Sequence, residues 1–419
     1  MIDNPSAPCH RVPVAAPFAF VALVALIGIG CGGSANEFAP WSFLPPEDSE
    51  FHEYTETSIS ARMRNRLELV EDMVIGRSEP ADPNYLFSRI LDLEVDENGS
   101  IYVFAYGAFG VRVFDSDGVY RRTIGGRGGQ GPGDFKEGGR IAVTRNLLFY
   151  TALGVLHSWE LTGEFVDARN TDNLLDLSGA PDDGHLAAAF WTFERNTVEP
   201  GLARTWAVAR VFAQGDMDTP YASFAHPFSS VQIGDSMIGF TPPRGEPSFA
   251  QAADGTIYAS PGTNYEVVSF SPAGGHRWSL RVASSRYRFT DSDIATAMKA
   301  LRRIEPAATS ELVEWPEFWP ALDWQPLGLG SAGGRGFPLF VDGHGHVYVF
   351  PFVPERHLGI EDRAVDVYSP RGELLFQGIM PNALLMRSWS DFAYGVSTSN
   401  SDQEETVVRW RLVEPFGSP

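Results

Sequence analysis

The chain has 419 residues, 43% hydrophobic and 12% aromatic but only 20% charged, with a formal net charge of −21. That length suits two or three small domains or one large all-β domain, and the apolar content excludes a disordered chain. Lys136 and Lys299 are the only lysines among 32 basic residues. Phosphate neutralisation would have to work against the field of the whole protein, so nucleic acid is excluded as a partner. The 42 glycines and 30 prolines make turns frequent and long helices improbable.

Residues 1–30 read as a targeting segment: a polar start with Arg11, then an apolar run over 14–29 that ends in small residues. The run is short for a bilayer span of about 20 residues and suits the core of a signal peptide. Cys31 follows Gly30 and precedes Gly32, Gly33 and Ser34. This resembles the lipobox of bacterial lipoproteins, with Gly28 where that motif usually has Leu. The resemblance implies cleavage before Cys31 and lipidation of its sulfur. Cys9 falls in the removed segment, so no disulfide forms within the mature chain. The acyl chains are then the membrane attachment, because an acidic chain is repelled by anionic lipid. Residues 31–60 carry Glu37, Glu47, Asp48, Glu50, Glu53 and Glu56, with no Lys or Arg before Arg62, and are expected to form a flexible acidic tether.

Across 61–415 one pattern recurs: an apolar strand, an Asp-x-x-Gly turn, a strand of the form Ile-Tyr-Val, a loop, and a strand that ends in a second turn glycine. The first copy has Asp96-Glu97-Asn98-Gly99, Ile101-Tyr102-Val103 and Gly118. A second has Gly255, Ile257-Tyr258-Ala259 and Gly274, and in both the marker glycines lie 19 residues apart. A third has Asp342-Gly343-His344-Gly345, Val347-Tyr348-Val349 and Gly372. Weaker copies surround Phe149 and Trp159, Leu186 and Val211, and Tyr394 and Trp410. Alternating apolar and polar residues with glycine at the corners indicate antiparallel strands in a meander. Six units of about 58 residues fill the length, a little above the typical size of a propeller blade. The predicted fold is therefore all-β, a six-bladed β-propeller, closed by a strand near 67–75 that completes the sheet of the last unit.

The first copy, residues 111–118 and the connector Thr123-Ile124-Gly125-Gly126-Arg127-Gly128-Gly129-Gln130-Gly131-Pro132-Gly133-Asp134-Phe135 resemble NHL-repeat propellers, in particular the six-bladed propeller lipoproteins of bacteria. The resemblance implies the fold, and activity only weakly, because such propellers host unrelated functions.

Gly126-x-Gly128-x-x-Gly131 formally matches a dinucleotide fingerprint, but Pro132-Gly133-Asp134 follows where a helix should start, so the segment reads as an interblade connector. Asp342, His344 and His346 alternate and could share one face for a metal, or be ordinary turn residues; no metal and no cofactor are expected. No Gly-x-Ser-x-Gly elbow is present. Arg89 and Arg140 occupy matching positions ahead of the innermost strands, where they either attract an anionic ligand at the channel mouth or pair with acids of neighbouring blades. Thr290 caps a predicted amphipathic helix carrying Ile294, Met298, Leu301 and Ile304, the start of a small helical insertion over 287–335. In the same insertion, Trp319 and Trp324 either stack on a ligand as part of a lid or anchor the insertion. The combined expectation is an exported, lipid-anchored binding module of the bacterial cell envelope, with an unidentified protein or small-molecule partner. The alternative is a lyase or hydrolase acting on a carbohydrate, lactone or peptide at the channel mouth.

Overall fold

Asp96 closes the first Asp-x-x-Gly turn. Its Oδ1 accepts the Asn98 and Ser100 amides at 2.9 and 2.8 Å, and its Oδ2 accepts the Tyr102 hydroxyl at 3.0 Å. Gly99, at φ +77°, completes the turn in a left-handed conformation that a side chain would strain. Asp342 repeats the arrangement, taking the amides of His344 and His346 at 2.9 and 2.8 Å and the Tyr348 hydroxyl at 3.2 Å. One carboxylate thus ties the turn to the strand that follows, which is why Asp, Gly and Tyr recur together.

The protein is seen in a computed structural model that describes residues 50–76 and 82–413, apart from short internal stretches and two longer ones at 289–322 and 325–338. These turns connect six antiparallel sheets. Blade 1 holds Ile90–Val95, Ile101–Ala105, Gly110–Phe114 and Tyr120–Gly125; blade 2 holds Arg140–Val143, Leu147–Ala152, Val155–Glu160 and Phe165–Asn170. Blade 3 contains Leu174–Gly179, Leu186–Asn196, Gly201–Val211 and Ala222–His226, and blade 4 contains Ser248–Gln251, Ile257–Ser260, Glu266–Phe270 and His276–Ala283. Blade 5 is Leu339–Val341, Val347–Val349, Asp362–Tyr368 and Leu374–Pro381. Blade 6 is Leu384–Trp389, Phe392–Thr398 and Glu405–Val413, and is completed by Glu68–Ile75 from the other end of the chain. Each blade's first strand packs against the first strands of its two neighbours, and the sixth meets the first, so the ring closes. The closing strand runs antiparallel to Glu405–Val413, from Glu68 opposite Val413 to Ile75 opposite Val407, as expected from the sequence.

The core is divided among six interblade layers. Ile90, Leu93 and Val103 of blade 1, for instance, meet Met386, Tyr394 and Val396 of blade 6. A middle strand is therefore covered on both faces: all five residues of Ile101–Ala105 and of Glu266–Phe270 are buried, where a one-sided meander would alternate. Between blades the backbones come very close. A Cβ on Gly179 would lie 1.8 Å from the Val143 carbonyl oxygen, which leaves room only for glycine. The glycine-rich connector after blade 1 ends in Phe135, which is 1% exposed and stacks between Tyr150 and Trp159 at centroid distances of 4.5 and 4.8 Å. The segment is an interblade link with an aromatic plug.

The expected tether is corrected at its C-terminal end. Glu50–Thr55 is a strand that adds in parallel to His276–Ala283 as a fifth strand of blade 4. His52 and Tyr54 face inward while Glu50, Glu53 and Thr55 are exposed. The Tyr54 hydroxyl donates to the Gly372 carbonyl at 2.9 Å and accepts the Leu374 amide at 3.1 Å. The solvent face of this edge strand carries Phe51, Glu53 and Thr55, and composition averages that face with the inward one. A short helix, Ile59–Arg62, then carries Arg62 into blade 5, where it forms a buried ion pair with Asp366. Residues 50–75 thus lace blades 4, 5 and 6 together. The residues expected to form the signal peptide, Cys31 and most of the tether lie outside the described residues, as does the predicted helix that begins after Thr290.

Candidate functional site

Five of the six innermost strands, together with the turns that follow them, surround a cavity of about 220 Å³. Its walls combine apolar side chains, among them Phe249, Leu339 and Met386, with Glu94 of blade 1, Asp176 of blade 3 and Arg387 of blade 6. The charged residues sit on the innermost strands of their blades, so the ring itself carries them to the channel.

Glu94 is 2% exposed. Its Oε2 lies 2.7 Å from Arg387 Nε, while its Oε1 is buried with no hydrogen-bond partner. Burial pushes the Glu94 carboxyl up to about 7; Arg387 opposes this, and Asp92 and Asp176 add to it. Burial likewise raises Asp176, against the pull of Arg140. Asp176 is about a third open to the cavity, its side chain being 30% exposed. Burial draws the Arg387 guanidinium down, but Glu94, with Asp92 and Asp176, more than offsets this and keeps Arg387 charged. Asp92 Oδ2 accepts the Ile141 amide at 2.9 Å across the interface between blades 1 and 2.

Arg140 opens the innermost strand of blade 2 and is not among the lining residues; its guanidinium is engaged with protein groups. Nη1 donates to the Leu91 carbonyl at 2.9 Å and Nε lies 3.6 Å from Asp176, an acid of the neighbouring blade. Arg89 does not line the cavity either, and its side chain is exposed. The pairing of Arg140 removes the basis for an anionic ligand held by two free guanidiniums. Trp324 belongs to a two-residue strand, Asp323–Trp324, paired with Tyr287–Arg288; Trp319 and Cys31 lie outside the described residues. Asp342 and His346 contact each other through Oδ2 and Nδ1 at 2.9 Å inside their turn, and His344 reaches out to Asp391 at 3.0 Å. Among the described residues no group of three or more His, Cys, Asp or Glu side chains is placed to hold a metal ion.

Sequence reasoning missed Glu94, Asp176 and Arg387. The available signal was a charge at alternate positions of an otherwise apolar strand, as in Ile90-Leu91-Asp92-Leu93-Glu94-Val95. What the arrangement can do chemically is hold or release a proton at Glu94 near neutrality and accept a hydrogen bond at its buried, unpaired oxygen.

The sequence matches no protein-family model and no curated protein. Among solved structures, the chain is similar to a member of the DUF4221 family from Bacteroides vulgatus, with 10% identity, 84% of this chain and 99% of that one covered, and a TM-score of 0.45. A presumptive exported protein of Bacteroides fragilis gives 10% identity, coverage of 87% and 99%, and a TM-score of 0.43. A gluconolactonase of Xanthomonas campestris gives 12% identity, coverage of 82% and 98%, and a TM-score of 0.36. At these values the likenesses say nothing of activity, and the propeller rests on its own strand pairing. No helix among the described residues is long and apolar enough to cross a membrane.

Proposed function

We propose that this protein is an exported, lipid-anchored propeller of the cell envelope, of the NHL-like kind, that binds a small ligand in its central channel. The observation that carries the binding role is the channel cavity of about 220 Å³, room for a small organic molecule, lined by both polar and apolar residues with a few convergent charged groups. The lipobox-like sequence ending in Cys31 supports the anchor.

Native mass spectrometry of the protein purified from the cells that make it tests the binding role. Wild type is expected to retain a small-molecule adduct. Ala250→Trp, which fills the cavity from a lining position, is expected to lose it. A wild type that carries no adduct, and whose melting temperature is moved by no member of a library of small acids, amines, sugars and peptides, overturns the reading.

A further inference from the structure

We propose that the channel selects a small organic monocation, an ammonium group on an apolar body, whose N–H donates to Glu94 Oε1. The inference rests on the channel being the ligand site and names the class of ligand it takes.

Three observations carry it. The first is the unused acceptor: Glu94 is almost wholly buried, lines the cavity, and has one oxygen paired with Arg387 and one with no partner. A buried acceptor without a donor is costly, and a ligand N–H removes that cost. The second is the charge count. On the innermost strands Asp92, Glu94 and Asp176 face Arg140 and Arg387, three carboxylates against two guanidiniums. With all five ionised the ring lacks one positive charge. Asp96 and Glu97 line the cavity as well, but the oxygens of Asp96 are taken by turn amides and Tyr102, and Glu97 lies 3.9 Å from Arg145, so the unmet demand falls on Glu94. The third is the wall: Phe249, Phe340 and Leu339 are among the lining residues and offer apolar neighbours to the hydrocarbon part of such a ligand.

Without ligand, the ring balances by keeping a proton on Glu94 up to near neutral pH, as its raised pKa requires. An ammonium ligand displaces that proton, so binding and deprotonation are linked.

The test uses three probes of one shape and different charge, 2-phenylethylammonium, 2-phenylethanol and phenylacetate, titrated calorimetrically into the full chain. At pH 8 the ammonium is expected to bind at least tenfold more tightly than the alcohol, with phenylacetate weakest. Its affinity should fall about tenfold per pH unit below 7. Glu94→Gln should retain alcohol binding and lose the ammonium preference, while Glu373→Gln, on an exposed hairpin outside the channel, should keep it. Tightest binding of phenylacetate, equal binding of all three, no binding of any, or a preference that survives Glu94→Gln overturns the proposal. An adduct in the native mass spectrum beside any of these results leaves the channel as a ligand site and refutes only the monocation.

Discussion

Replacing Glu94 by Gln should change how stability depends on pH, in a direction fixed by the geometry of the channel. In the folded protein the carboxyl titrates at about 7 rather than 4.5, because burial outweighs the attraction of Arg387. Between those values the folded chain holds a proton that the unfolded chain has already released. The contribution of the protonated group is therefore complete below pH 4.5 and is lost as pH rises through 7. At ~1.4 kcal/mol per pH unit the loss amounts to about 3 kcal/mol across the window. Gln has the same shape and cannot ionise, so the difference between variant and wild type should be small at pH 4.5 and should favour the variant by about 3 kcal/mol at pH 8. Urea denaturation followed by tryptophan fluorescence, at half-unit steps from pH 4 to 8.5, measures it. Subtracting the two curves cancels every group that does not interact with Glu94. A difference that is flat with pH, or that turns toward wild type as pH rises, would refute the assignment of Glu94 as the buried proton holder.

Changing Cys31 to Ser should abolish incorporation of labelled fatty acid and move the protein from the membrane to the soluble fraction; unchanged membrane retention refutes the lipid anchor. Asp366→Ala should cost ~3–5 kcal/mol in chemical denaturation, because it strands the fully buried Arg62 and removes the acceptor of the Tyr265 hydroxyl at 2.6 Å. Pairing it instead as Arg62→Met with Asp366→Leu should recover most of that loss; if the double variant is no more stable than Asp366→Ala, the pair is not the source of the cost.

Local chemistry made most of the ring legible in the sequence. Asp96, Gly99 and Tyr102 signal a turn and the strand after it because one carboxylate bonds all of that segment, and the same grammar at Asp342 marks another blade. The strand near 67–75 could be foreseen because a ring of repeats leaves its last sheet one strand short, and the partner comes from before the first repeat. The channel was not legible, since it is lined by short stretches of blades 1, 3, 4, 5 and 6, and its charged residues Glu94, Asp176 and Arg387 have no common spacing. Arg89 and Arg140 match in position ahead of their strands, yet only Arg140 finds an acid across the ring, at Asp176. The strand Glu50–Thr55 was hidden for a different reason: its partner edge, His276–Ala283, lies more than two hundred residues away, and nothing local distinguishes an edge strand from acidic coil.

The joining of Glu68–Ile75 to Glu405–Val413 also sets an order on assembly. Blades 1 to 5 can form four-stranded sheets from contiguous chain as it is made, but blade 6 waits for Glu405–Val413. Until then the early segment has no template, and the edge it will cover does not exist. Closing so large a loop is slow, and a chain ending short of Glu405 never achieves it. Such a chain would leave Val407 and Val408 missing from two interblade layers and Phe392–Thr398 as an open edge, the kind of surface on which strands from other molecules add. Ring closure therefore hangs on one pairing between segments more than three hundred residues apart: until Glu405–Val413 is in place, the last sheet edge stays open.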